Sequence, residues 1–248
     1  MGKLATTVDR MYGNRLAIEQ PLEGYRFGTD AMVLAAAIRA KKNQHVLELG
    51  SGVGAALLAA ALRLPDVRFT GIERELDYVT LLESNIARNA LADRVTAIAG
   101  DVTDKTLAKN GGTFDHVMAN PPFYKEQKKR TPKPLRKAAR QEEPDGLVNW
   151  IAAANRFLKP KGTFTVIHTA DRADEIITLM KKFCGGVTLF PLWPREGEAA
   201  KRIVIQGTKG SKAPLLILPG LVLHDGQGNY YSKRATAIIK KGVSLWDI

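Results

Sequence analysis

Five short runs rich in β-branched and aromatic residues alternate with stretches of helical spacing, and this alternation limits the folds open to the chain more than any other feature. The runs are H-V-L-E-L (45–49), V-R-F-T-G-I (67–72), V-T-A-I-A (95–99), F-D-H-V-M-A (114–119) and T-F-T-V-I-H (163–168). Helical spacing fills Ala55–Leu64, Leu76–Ala90 and Leu147–Leu158 between them. Strand alternating with helix builds βαβ units, so the pattern predicts an α/β fold with a doubly wound, mostly parallel sheet. After residue 183 two consecutive strand-like runs, V-T-L-F-P-L-W (187–193) and K-R-I-V-I-Q-G (201–207), flank the turn-rich P-R-E-G-E. They predict a hairpin, so a seven-stranded sheet should end in an antiparallel strand. No repeat, low-complexity tract or linker divides the chain. The expectation is one domain over 45–248, with 1–44 as its N-terminal cap segment.

A chain of 248 residues that is 45% hydrophobic can bury one sizeable core. Its longest apolar runs, Ala31–Ile38 and Ala55–Leu62, have eight residues each, against about 20 for a membrane span. The N-terminus lacks the apolar region of a secretory signal, and the single cysteine, Cys184, cannot close an intramolecular disulfide. Both point to a cytoplasmic protein. The formal net charge of +12 points to a polyanionic partner.

In open α/β sheets ligands sit beyond the carboxyl ends of the strands. The first strand ends E-L-G-S-G-V-G (48–54), where glycines allow a tight turn and close backbone approach, and the next helix aims its free N–H groups at a bound group. Gly50, Gly52 and Ala55 satisfy the dinucleotide pattern G-x-G-x-x-A, while Gly50, Gly52 and Gly54 satisfy the G-x-G-x-G spacing used for S-adenosylmethionine. Either cofactor remains open at this point. Glu73, closing the second strand, is placed to accept from both ribose hydroxyls of either one. Asp101, closing the third, can accept from an adenine amino group while Val102 packs near the ring, although a lone strand-end Asp also serves as a helix cap.

The fourth strand runs into N-P-P-F-Y (120–124). Asn120 offers a side-chain carbonyl, and Pro121 and Pro122 fix the backbone while contributing no N–H. Phe123 adds an aromatic platform, with Tyr124 beside it. Such a rigid set of acceptors suits an –NH2 group on a planar ring that stacks on Phe123.

E-L-G-S-G-V-G, G-I-E, G-D-V and N-P-P-F in this order resemble the class I S-adenosylmethionine-dependent amino-methyltransferases, and the resemblance settles the choice of cofactor. Within that class G-Y-R-F-G-T-D-A-M-V-L-A-A-A (24–37) and L-V-L-H-D-G-Q-G-N-Y-Y (221–231) look like the bacterial adenine N6-methyltransferases that modify a valine tRNA beside its anticodon. The resemblance implies a Rossmann-like methyltransferase domain and a catalytic set of Asn120, Pro121, Pro122 and Phe123. It implies S-adenosylmethionine, with S-adenosylhomocysteine as product, held by Glu48, Gly50, Gly52, Gly54, Glu73, Asp101, Val102 and Asn120. Phe27, Thr29 and Asp30 are similar to a cap over the cofactor, although Thr29 and Asp30 would also cap a helix over Ala31–Ala40.

Immediately after the presumed amine site, residues 124–140 carry eight lysines and arginines against one glutamate. This run is the expected contact for a tRNA phosphate backbone, through Tyr124, Lys125, Lys128, Lys129, Arg130, Lys133, Arg136, Lys137 and Arg140. His45, His116, His168 and His224 lack metal-ligand spacing, so no metal is expected and the four read as structural or solvent-facing. Two neighbouring activities share the acceptor logic. Guanine N2 or DNA adenine methylation would use the same cluster. Protein glutamine methylation would too, but the family resembling it carries a helical substrate domain before the first strand, where this chain has 44 residues. A catalytically silent RNA-binding module is disfavoured by the intact cofactor set.

Overall fold

A computed structural model describes residues 4–23, 26–110, 113–125, 141–142, 146–226 and 228–247. The chain opens with a hairpin, β1 (Thr6–Met11) and β2 (Leu16–Pro21), followed by α1 (Thr29–Ala36). The alternating core is β3 (His45–Leu49), α2 (Ala55–Arg63), β4 (Arg68–Glu73), α3 (Leu76–Arg88), β5 (Val95–Ala99), α4 (Lys105–Asn110) and β6 (Phe114–Ala119). After the short parallel pair β7 (Tyr124–Lys125) and β8 (Gln141–Glu142) come α5 (Gly146–Phe157), β9 (Leu158–Thr169) and α6 (Ala173–Met180). The chain ends with β10 (Cys184–Trp193), β11 (Arg202–Lys209), β12 (Leu216–Ile217), β13 (Leu221–Val222) and α7 (Lys233–Lys241).

The seven expected strands form the body of one sheet in the order β10-β11-β9-β6-β3-β4-β5. The sheet has nine strands, however, because β12 and β13 each pair two residues along the outer edge of β10. The antiparallel strand is also not at the edge: β11 lies between β9 and β10, antiparallel to both. Position inside the sheet explains its run of buried residues Ile203–Ile205, since a strand covered on both faces has no wet side to alternate with.

Helices cover both faces. Leu47 and Leu49 of β3 pack into the cluster that contains α5 and α6, while Val46 packs on the other face among α1, α2, α3 and α7. The period of two in a strand puts Glu48 on the α2 side with Val46. Helix α1 is apolar all round because it lies between α2 and α7, and every residue from Ala31 to Ile38 is buried. None of the described helices is long and apolar enough to cross a membrane.

The N-terminal hairpin, which the strand and helix pattern does not reveal, is docked by two asparagines one helical turn apart, Asn85 in the last turn of α3 and Asn89 at its C-cap. Asn89 accepts from the Ala17 N–H at 2.9 Å and donates to the Ala17 carbonyl at 2.8 Å. Asn85, fully buried, accepts from the Glu19 N–H at 2.7 Å and donates to the Glu19 carbonyl at 2.8 Å. A helical step of four residues rises about 6 Å and a strand step of two about 6.6 Å, so two amides at i and i+4 stand in for a neighbouring strand. The Asn85 amide also donates to the Val53 carbonyl at 3.0 Å, which ties hairpin and helix to the glycine loop. Replacing Asn85 by alanine leaves three buried backbone groups without partners, and the expected cost is about 3 kcal/mol in urea unfolding.

His45 and His116 lie near the amino-terminal ends of the adjacent interior strands β3 and β6. His116 bonds Thr163 through Nδ1 at 2.6 Å and Gln44 through Nε2 at 2.9 Å, and burial pushes its pKa down to about 4. The unfolded chain then binds one more proton than the folded one between roughly pH 6.5 and 4. Stability carried by the neutral ring is complete above that window and lost as the pH falls through it. Unfolding titrations should show wild type losing about 3 kcal/mol more than H116Q across this range.

Candidate active site

The parallel strands β3, β4, β5 and β6 end on one edge of the sheet, and a cavity of about 330 Å³ opens there. Its walls come from segments far apart in sequence: the start of α1, the loops after those four strands, the start of α5, and Arg202 at the head of β11. Of the expected cofactor and catalytic residues, Phe27, Asp30, Glu48, Gly50, Gly52, Glu73, Asp101, Val102, Asn120, Pro121, Pro122 and Phe123 all line it. Thr29 and Gly54 do not. The Thr29 hydroxyl bonds the Tyr231 hydroxyl at 2.8 Å, and neither Thr29 nor Asp30 caps α1, which begins at Thr29 behind Gly28 without a side-chain cap.

The three loop glycines share a left-handed φ, at 62°, 54° and 88°, but for different reasons. A Cβ on Gly50 would sit 2.3 Å from the Trp150 indole, and one on Gly54 would sit 2.3 Å from Leu82. Gly54 therefore allows α2 to pack on α3 and opens α2 as its N-cap. Gly52 faces open space, and its N–H donates to Glu73 Oε2 at 2.8 Å.

Glu73 is the hub of this wall. Besides Gly52, its carboxylate accepts from the Arg74 and Glu75 N–H groups at 2.8 and 2.9 Å, so one side chain fixes both the glycine loop and the turn after β4. Deeper in, Glu48 is 3% exposed. Burial drives its pKa well up, the Leu57 N–H in the first turn of α2 works against that, and the nearby Glu73 charge adds to it. Its Oε2 accepts no hydrogen bond from the described residues. An acid in that condition is suited to a cationic group arriving from the cavity. Asp101, on the rim, accepts from the Thr103 N–H and hydroxyl at 2.8 and 2.7 Å. Partial burial raises its pKa, but those donors and the Arg74 guanidinium outweigh it and hold the carboxyl below its ordinary value.

Across the cavity, Asn120 lines the wall while its Oδ1 is shielded from solvent and accepts no hydrogen bond from the described residues. A buried acceptor left without a donor costs about 1–3 kcal/mol, so the amide stands ready for an N–H that its neighbours in the wall do not supply. Next to it the Phe123 ring meets His168 in a T-shaped contact at 5.0 Å, and the Arg202 guanidinium lies over the ring at 4.6 Å. His168, expected to be merely structural or solvent-facing, is fully buried and braces the aromatic platform. A cation over an aromatic face is worth about 0.5–2 kcal/mol, according to its exposure.

Several residues of the cavity lie beyond the motifs of the sequence, Arg202 and Trp150 among them. Helix α5 carries Trp150 to the cavity, and nothing in its local pattern marks it. Arg202 does leave a signal: the first residue of an antiparallel strand lies level with the last residues of its parallel neighbours, and Arg202 pairs with Thr169 at the end of β9. Of the expected RNA-contacting residues, Tyr124 and Lys125 form β7. Lys128, Lys129, Arg130, Lys133, Arg136, Lys137 and Arg140 lie outside the described residues.

Comparisons with known proteins agree with this arrangement. A tRNA1(Val) (adenine(37)-N6)-methyltransferase of Porphyromonas gingivalis is 32% identical over 168 residues, covering 65% of this chain and 66% of the relative. The match thus spans just under two thirds of that relative's length. A protein of the same name from Actinobacillus pleuropneumoniae is 25% identical over 211 residues, 83% of this chain and 85% of its own. Among solved structures, a predicted O-methyltransferase of Agrobacterium tumefaciens superposes with a TM-score of 0.72 at 25% identity, over 87% of this chain and 97% of that one. A tRNA m1G37 methyltransferase of M. jannaschii shares the fold at a TM-score of 0.57 and 15% identity, over 85% and 59% of the two chains. The model of the methyltransferase small domain matches residues 26–190, a span that holds the cavity wall from Phe27 to Trp150, and the chain belongs to that family.

Proposed function

We propose that the protein is an S-adenosylmethionine-dependent methyltransferase that methylates N6 of an adenine in tRNA. The observation that carries this reading is the shielded Oδ1 of Asn120, which accepts no hydrogen bond from the described residues and lines one cavity with the glycine loop and the Phe123 ring. The printed names of the bacterial relatives support adenine N6 in a tRNA. The N-terminal segment up to residue 44 acts as the cap of the same domain, and a tRNA substrate and a reduced Cys184 both fit the cytoplasm.

The residues present fit the cofactor. Its sulfonium supplies an electrophilic methyl group. Glu48 would receive the amino group of its methionine portion, Glu73 the ribose hydroxyls, and Asp101 with Val102 the adenine. On the substrate side, an aromatic amine is a poor nucleophile because its lone pair is delocalised into the ring. Asn120 Oδ1 and the Pro121 carbonyl, each accepting one amine hydrogen, favour the tetrahedral nitrogen that develops as the new N–C bond forms. Phe123 would stack on the base for about 1–3 kcal/mol and help orient its amine toward the methyl donor. No enzyme nucleophile takes part: as the N–C bond forms, the bond from the methyl to sulfur would break with its electron pair staying on sulfur, giving S-adenosylhomocysteine, and the proton released from nitrogen would pass to solvent. The basic run 124–140 contacts the phosphate backbone.

Nucleoside mass spectrometry on tRNA incubated with protein and cofactor tests the assignment: N6-methyladenosine is expected, whereas N2-methylguanosine or no product would overturn it. Replacing Asn120 by alanine should lower methyl transfer at least a hundredfold, as loss of a transition-state hydrogen bond does, while calorimetry finds cofactor affinity within a few-fold of wild type. Replacing Glu73 by alanine should weaken cofactor binding at least tenfold, about 1.4 kcal/mol, because it removes the ribose acceptor and frees Gly52 together. An unchanged dissociation constant would remove that role.

A further inference from the structure

The face of Phe123 toward the cavity is where a substrate base would stack, and the Arg202 guanidinium already covers the ring at 4.6 Å. Aromatic rings in contact lie roughly 3.5 Å apart, so no base fits between them as they stand. Arg202 is also held from two other directions. Its Nε donates to Asp30 at 3.0 Å and its Nη1 to the Lys201 carbonyl at 3.2 Å. Nη2 has no bond among the described residues. Asp30 belongs to the first turn of α1 and lines the same cavity, so the guanidinium joins the cap of the site to its base platform.

We propose that Arg202 is a latch on the base platform, one that selects a nucleotide carrying phosphate over a free base or nucleoside. The inference rests on the methyltransferase reading given above. The cation–π contact and a base–aromatic stack are of the same magnitude, so a base that expels the guanidinium gains little if the guanidinium is left with nothing in return. A nucleotide within a strand also brings a phosphate, and a planar guanidinium with an uncommitted N–H edge is the side chain best suited to take it. Asp30 remains on Nε and limits how far the group swings. Base entry and phosphate capture thus become one exchange, and a ligand lacking phosphate completes only its unfavourable half.

Two ligands separate the halves of this exchange. With the cofactor site saturated by S-adenosylhomocysteine, calorimetric titration of adenosine reads the platform alone, and steady-state methyl transfer to tRNA reads the complete substrate. R202M is expected to bind adenosine at least fivefold more tightly than wild type and to raise KM for tRNA at least fivefold, with an unchanged circular dichroism spectrum showing that the fold is intact. R202K keeps the charge without the flat face, so it should gain adenosine affinity while holding KM for tRNA within about twofold of wild type. Weaker adenosine binding in R202M would make the guanidinium a second wall of the stack and overturn the latch. Unchanged values for both ligands would reduce Arg202 to a tie between β11 and α1 and overturn the latch equally. If wild type transfers no methyl to tRNA, the adenine reading fails separately; a gain in adenosine affinity on R202M still supports the latch, and its absence still overturns it.

Discussion

The carboxylate of Glu73 is the fixed point of this molecule's working edge. It gathers three backbone N–H groups, two from its own turn and one from Gly52, and so pins the glycine-rich loop at its middle glycine, which has no side chain of its own. Around that point the rest follows in order. The loop in its left-handed conformation lets the Trp150 indole close over Gly50 and lets α2 pack on α3 beneath Gly54. The Asn85 amide reaches Val53 from below and passes the constraint to the N-terminal hairpin. Gln20 of that hairpin accepts the Phe27 N–H at 3.2 Å and so sets the cap over the cavity.

On the proposed function, the charge distribution keeps two ligands apart. The chain as a whole carries +12, yet the cavity wall holds Asp30, Glu48, Glu73, Glu75 and Asp101 against three arginines. A basic exterior attracts a polyanion over distances set by the Debye length, while an acidic interior favours a small cation at contact. A positively charged cofactor and a negatively charged polymer can therefore meet in one place without competing for the same side chains.

Much of the fold and of the site is legible in the sequence because each readable part is written locally. Gly50, Gly52, Glu73, Asp101 and Asn120 all sit at strand ends, where one residue beyond an apolar run is placed by the strand before it. The parts that escape such reading are set by tertiary contacts. The Gly13-Asn14 turn between T-T-V-D-R-M and L-A-I-E-Q-P is a hairpin signal inside a segment that otherwise reads only as a cap. Its docking depends on Asn85 and Asn89, which look like ordinary polar helix residues until β2 lies beside them. Short strands β12 and β13 exist only because β10 offers an open edge. Trp150 reaches the cavity through the packing of α5, and no residue beside it in the sequence announces this.

The interior position of β11 also bears on how the protein comes into being on the ribosome. Strands β3, β4, β5, β6, β9 and β10 and every helix up to α6 can be made before residue 202 emerges, but until β11 arrives the edge of β9 has no partner on that side, and an unpaired edge in a half-made sheet invites wrong pairing. The strand that fills this gap is also the strand that delivers Arg202 to the cavity. The nascent chain therefore finishes its binding cavity in the same step that seals its most vulnerable edge, and a partly synthesised copy lacks both.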